Sequence, residues 1–230
     1  MLQSDSKRGR SHNAEGAREA ILDAAERVFA EHGFDGARID TIAAEAGYNK
    51  SLIFQYFGDK LNLYAGVIRR ADAQIRGFQN LVLAELFNGE TVGDIERLKT
   101  MLRTFVSAYF DYLVAHPNFV RILNWEMAEG WQTYAQLSTE RDLEEVVALS
   151  SPLQALADSG LLRSRFNPMG QMMLVMFTSQ LYLGLLPLFN IYLPNVDSQS
   201  ADGLARAREF IVEFITHGLI GDSGAADPSV

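Results

Sequence analysis

The chain of 230 residues contains no cysteine. That absence excludes disulfides, thiolate metal sites and cysteine nucleophiles, and it fits a reducing compartment. Histidine is scarce: His12, His32, His116 and His217 lie far apart in the sequence. His32 and His217 each fall at the end of a helical pattern, where the helix dipole favours a cation. HExxH, GxSxG, P-loop and GxGxxG patterns are all missing. No catalytic, metal-binding or cofactor-binding constellation is therefore implied. Gly221-Asp222-Ser223-Gly224 superficially matches a serine-protease nucleophile segment, but it stands in a polar tail at the end of a helical chain and is read as chance. An enzyme built on a pocket in this chain needs a polar cluster that the sequence does not offer. Lys7, Arg8 and Arg10 have no apolar run behind them, so the N-terminus is not read as a signal peptide.

Charge is also missing where it matters. The formal net charge is −9, which by itself speaks against a polyanionic partner. Residues 1–76 hold 11 basic and 11 acidic side chains, however, and residues 77–230 hold 9 basic and 18 acidic. The acidity lies wholly in the second part, which keeps the protein soluble and discourages non-specific adhesion. Local basic groups in the first part would carry any contact to nucleic acid.

Between Arg165 and Asp197 there is no charged residue. A span of about 20 apolar residues is enough to cross a bilayer. Gln180 and Asn190 are polar, Pro187 interrupts the run, and no Lys/Arg cluster flanks it. A helix buried in a domain core or a subunit interface accounts for the stretch better, and no membrane partner is expected.

What is present is helical periodicity punctuated by Gly and Pro. Residues 1–14 read as a polar, disordered basic arm. A first helix runs from about Glu15 to His32, with Ile21, Ala24, Ala25, Val28 and Phe29 inward, and Gly33 ends it. Residues 38–57 then hold two short amphipathic helices. The first carries Ile39, Ile42, Ala43 and Ala46 on one face. Gly47 permits the tight turn, since glycine reaches positive φ at no steric cost. The second, Asn49 to Phe57, has no acidic residue. Two short helices around such a turn form a helix-turn-helix, whose second helix enters the major groove. A helix approaching a polyanion has reason to lack carboxylates.

Asp59 is a good N-cap for a fourth helix from Lys60 to about Leu86. This helix links the head, residues 15–75, to a ligand-binding and dimerisation body at 76–220. In the body, helices are expected at about Ile95–His116, Phe119–Ala128, Trp131–Ser159 (with a restart at Ser151-Pro152), Pro168–Phe189 and Ala201–Gly218. Residues 221–230 read as a disordered tail. The fold class is all-α, with about nine helices.

Ile42-Ala43-Ala44-Glu45-Ala46-Gly47-Tyr48-Asn49-Lys50-Ser51-Leu52-Ile53-Phe54-Gln55-Tyr56-Phe57-Gly58-Asp59-Lys60 resembles the tetracycline-repressor (TetR) family of bacterial one-component regulators. So does Ala20-Ile21-Leu22-Asp23-Ala24-Ala25-Glu26-Arg27-Val28-Phe29-Ala30-Glu31-His32-Gly33-Phe34. The resemblance spans roughly residues 15–70. Two positions depart from the pattern. Ala37 and Arg38 stand where the family usually has Thr or Ser before the first short helix, and Gln55 interrupts an aromatic-His-Tyr-Phe run. The resemblance implies a cytoplasmic transcriptional regulator, most often a repressor, whose body binds a small hydrophobic or amphipathic effector and pairs two copies on a palindromic operator.

Several residues follow as candidates. Lys50 and Ser51 lie near a helix N-terminus, which favours phosphate. Gln55 matches an adenine edge, while Tyr56 and Lys60 suit phosphate contacts. The resemblance implies backbone contacts at positions 50, 56 and 60. Arg38 and Thr41 are placed to clamp phosphate. Phe105, Tyr109, Trp125, Glu126, Trp131, Met173 and Phe177 are candidates for an effector pocket, because Trp and Tyr add a polar handle to apolar surface and Met adapts to shape. Met176, Leu181, Leu185, Phe210 and Phe214 are candidates for a two-fold interface made by the last two helices. His116-Pro117-Asn118-Phe119-Val120-Arg121 with Glu126 resembles a C-terminal subgroup of the family, some of whose members sense pyrimidines or other metabolites. A body that serves a protein partner instead of a small ligand is the alternative.

Overall fold

The computed structural model describes residues 4–87, 94–137, 140–162 and 167–220. Among them are ten α-helices: α1 Ser4–Gly36, α2 Ile39–Ala46, α3 Lys50–Phe57, α4 Lys60–Phe87, α5 Ile95–Ala115, α6 Pro117–Ala128, α7 Gln132–Leu137, α8 Glu140–Asp158, α9 Pro168–Tyr192 and α10 Ala201–Leu219. The tail at 221–230 lies outside the described residues.

The start and stop signals act as their chemistry dictates. Gly33 breaks α1 with φ 69° and ψ −179°. The Asn49 side chain accepts from Leu52 N at 2.8 Å and caps α3. Asp59 accepts from Asn62 N at 2.7 Å at the start of α4, and Asn167 accepts from Gly170 N at 3.0 Å at the start of α9. Each satisfies an amide that a helix start otherwise leaves open. Three expectations differ. The first helix extends back to Ser4, through the segment read as an unordered arm. The span expected as one helix from Trp131 to Ser159 is two, α7 and α8, and Trp131 itself has a positive φ of 62°. The helix expected to restart at Pro152 instead runs through it.

The chain divides into two compact units. The first comprises residues 1–74 and Pro117–Leu137, and the second comprises Ile75–His116 and 138–230. The boundary between them falls inside α4, and α6 and α7, expected in the body, pack with the head. The reason is packing. In the first unit Phe29 meets the Tyr64 ring edge-on at 4.8 Å, and the Tyr64 hydroxyl donates to Glu126 on α6 at 2.6 Å. Trp125 Nε1 donates to the Ala30 carbonyl at 3.3 Å. A Cβ placed on Gly33 would come within 3.1 Å of the Trp125 ring, so the break in α1 also makes room for α6.

The second unit is built around Leu98, Leu102, Phe105, Val106 and Phe110 of α5, Leu153 and Leu156 of α8, Val175 of α9, and Ile211, Val212 and Ile215 of α10. Arg208 on α10 donates to Asp111 on α5 at 2.7 Å. Helix α9 is 25 residues long and apolar enough to cross a membrane. Within the unit it buries one side only. Gln171, Val175, Ser179 and Gln180 point to the core, while Leu174, Leu181 and Leu188 are exposed.

Candidate nucleic-acid interface

Helix α2 ends at Gly47, which has φ 72° and donates to the carbonyls of Ala43 and Ala44. Tyr48 and Asn49 complete a short turn before α3. Ile42 and Ala43 of α2 and Ile53 and Phe57 of α3 are buried. Those anchors fix the roll of α3, because residues three or four apart share a face. Ser51 and Gln55 are exposed on the opposite face, with Lys50 and Phe54 exposed on its flank.

The seven candidate DNA contacts are gathered in this head but differ in availability. Ser51, Gln55 and Thr41 are exposed. Arg38 is exposed at the N-cap of α2, where its side chain makes no capping bond, as the missing Thr or Ser implies. The Lys50 ammonium is tied to Asp40 on α2 at 3.0 Å. Both groups are half-exposed or more, so water screens the pair and it exchanges readily. Tyr56 is half-buried, with its ring edge-on to Phe57 at 6.5 Å. Lys60 is engaged within the head: its ammonium donates to the Asp35 carbonyl at 3.2 Å and lies 4.7 Å from the Phe34 ring centroid. Burial lowers its pKa, against the pull of Asp35.

Three features escaped sequence reading. Phe54 is 41% exposed on the flank of α3. Arg70 on α4 donates to Asp23 at 2.6 Å and Glu26 at 2.5 Å on α1, with Glu19 at 3.4 Å. The signal was present: Glu19, Asp23 and Glu26 recur at helical spacing and form an acidic stripe that invites a cation. The third is Glu126, which accepts from Tyr64 and from Tyr134 N at 3.0 Å and is 1% exposed. Sequence reading held it open for a ligand, whereas here its carboxylate has donors of its own.

The other pocket candidates are divided between the units. Trp125, Glu126 and Trp131 lie in the first, and Phe105, Tyr109, Met173 and Phe177 in the second. Phe105 and Tyr109 are buried and stack at 6.2 Å, while Met173 is exposed. A small apolar cavity of about 30 Å³ does occur in the second unit, lined by Leu98, Met101, Leu156, Met172 and Val175 among others, with Gln171 at its wall. None of the seven candidates lines it. Among the interface candidates, Leu181, Phe210 and Phe214 are exposed, and Met176 and Leu185 are half-buried. Phe210 and Phe214 stack on each other at 6.1 Å on the surface of α10.

The model of bacterial regulatory proteins of the tetR family matches residues 21–67, and that of the tetracyclin repressor-like C-terminal domain matches residues 99–215. The chain belongs to the TetR family. Its relatives are transcriptional regulators. It is 35% identical over 119 residues to the HTH-type transcriptional repressor SCO4008 of Streptomyces coelicolor, covering 52% of this chain and 54% of that one. The aligned part thus spans about half of that relative. It is 30% identical over 154 residues to the transcriptional repressor AcnR of Corynebacterium diphtheriae, covering 61% of this chain and 77% of that one. The fold is also that of the regulator FadR of Bacillus subtilis in its complex with stearoyl-CoA, with a TM-score of 0.58 at 18% identity over 87% of this chain and 98% of that one. Nothing in these relatives supports the reading in which the TetR body serves a protein partner.

Proposed function

We propose that this TetR-family chain is a cytoplasmic transcriptional repressor that binds a palindromic operator as a homodimer and leaves it when a small hydrophobic or amphipathic effector enters the second unit. The observation that carries the reading is the outer face of α3. It is free of carboxylates, held rigid by Ile53 and Phe57, capped by Asn49, and fringed by Lys50, Arg38 and Thr41. Gln55 faces a base edge, and Lys50, Ser51, Arg38 and Thr41 take phosphates once Asp40 yields Lys50.

The apolar strip of α9 and α10 supports the pairing. Leu174, Leu181, Leu188, Phe210 and Phe214 form a surface that a monomer has no reason to leave in water. A second copy covers it in an isologous contact and sets the two α3 helices about 34–36 Å apart. For the effector, the cavity beside Met101 and Met172 is the support, since flexible Met side chains let a small void widen. Effector binding then favours a state whose heads no longer match the half-site spacing.

The test is selection of duplexes from a randomised pool, followed by gel shift at several salt concentrations. Selective binding by a dimer is expected, with affinity falling steeply as salt rises. No retained duplex at low ionic strength, or a monomer in solution, overturns the proposal.

A further inference from the structure

Phe54 stands out among the exposed residues of the head. Among the described residues it is the large apolar side chain left exposed on α2 and α3, at 41%. The core beneath is already supplied by Ile53 and Phe57, both buried. Lys50 and Phe54 are one turn apart, as are Ser51 and Gln55, so the four form an exposed strip that runs from the flank of those anchors (Lys50, Phe54) round to the side opposite them (Ser51, Gln55). Lys50, tethered to Asp40, marks the N-terminal end of that strip. Phe54 and Gln55 occupy the next turn, side by side.

A phenyl ring in this place has few partners in a major groove. Guanine and cytosine offer hydrogen-bonding edges there, and a phenyl would leave those groups unpaired at a cost. Thymine alone presents an apolar group, its C5-methyl, and apolar contact with that methyl is a recognised mode of base readout. Gln55 beside it matches adenine, whose N6 and N7 take a bidentate amide. The two neighbours are thus suited to adjacent A·T-type pairs.

We propose that Phe54 is a specificity-determining residue that packs on the C5-methyl of a thymine in each half-site, beside the base pair read by Gln55. This rests on the operator-binding reading above and deepens it by naming the chemistry that one position of the operator must carry.

The experiment uses the full chain and a duplex selected from the randomised pool. Each thymine of the half-site is replaced in turn by uracil, which removes the methyl and keeps the pairing. One thymine per half-site is expected to be sensitive, with affinity falling about fourfold for the loss of one methyl-sized contact. In Phe54→Ala the same uracil substitution is expected to have no effect. Phe54→Leu, which keeps an apolar side chain, should restore part of the discrimination. Circular dichroism shows that each variant is folded. The proposal is overturned if selective binding is observed and every uracil is tolerated, if the selected half-site has no thymine, or if Phe54→Ala keeps the sensitivity. It is also overturned if Phe54→Ala weakens all duplexes equally, which assigns the ring to backbone packing. Failure to select any duplex removes the operator-binding reading itself, and is distinguished from those outcomes by the absence of a shifted band.

Discussion

The Tyr64 hydroxyl donates to the Glu126 carboxylate across 2.6 Å, with both residues about 1% exposed. It ties α4 to α6 inside the first unit. Glu126 takes a second donor from Tyr134 N, so the start of α7 is drawn in as well. A buried carboxylate is tolerated only with such partners.

Removing one partner leaves the other buried and unmatched. Tyr64→Phe is expected to lower stability by about 1–3 kcal/mol, and Glu126→Ala by at least as much, because it strands a hydroxyl and an amide together. Urea denaturation followed by circular dichroism measures both. Equal midpoints for parent and Glu126→Ala would show that the bond contributes nothing.

The same bond sets a pH response. Burial and then the bond to Glu126 push the Tyr64 phenol well above its ordinary value of 10.0. The native state therefore keeps a proton that the unfolded chain gives up, and it binds more protons in alkaline solution. Stability then falls as pH rises above about 10 and is unaffected near neutrality. Tyr64→Phe should flatten part of that alkaline decline. Identical slopes from pH 9 to 11 in the two proteins would contradict the assignment.

Gly33 is expected to resist substitution. An Ala there must hold φ near 69° and place its Cβ about 3.1 Å from the Trp125 ring. A loss of roughly 1–3 kcal/mol follows from backbone strain, with added cost if the indole is displaced. Thermal unfolding of Gly33→Ala checks it.

Lys50 and Asp40 make opposite predictions for DNA. Lys50→Ala should weaken binding to all duplexes alike and reduce the salt slope by about one. Asp40→Asn frees the ammonium and removes a carboxylate from the same surface, so it should tighten non-specific binding. Gel shifts across a salt series separate the two. Unchanged affinity in both variants would take Lys50 out of the interface.

A charge on the apolar strip should break the proposed dimer. Leu181→Asp and Phe214→Asp act at residues 53% and 63% exposed in a single chain, so the fold itself should survive. Sedimentation velocity is expected to report folded monomers. Intact dimers would place the two-fold contact elsewhere.

The elements of the head were legible because their signals are local. Asn49, Asp59 and Gly47 act within four residues of themselves, and the buried pattern of Ile42, Ile53 and Phe57 needs no distant partner to be recognised. Asn167 likewise marked a helix start in the second half, and Pro117 marked where the helix before it stops. What was not legible depends on contacts far apart in sequence. Nothing near Glu126 announces a tyrosine 62 residues earlier, so its polarity read as ligand chemistry. The aromatic residues of α5 and α6 looked alike in composition, yet they serve different units. Phe54 was passed over differently: only its exposure in the packed head separates it from its buried neighbours Ile53 and Phe57.

Because Pro117–Leu137 completes the first unit, the part of this molecule that carries α2 and α3 is not one unbroken stretch of chain. A fragment cut after residue 76 would retain Tyr64 and Ala30 but lose the carboxylate and the indole that meet them. Anyone grafting this head onto another regulator must carry α6 and α7 across too, or supply residues that do their job. Expression of 1–76 alone, beside a version rejoined to 117–137, would show the difference directly.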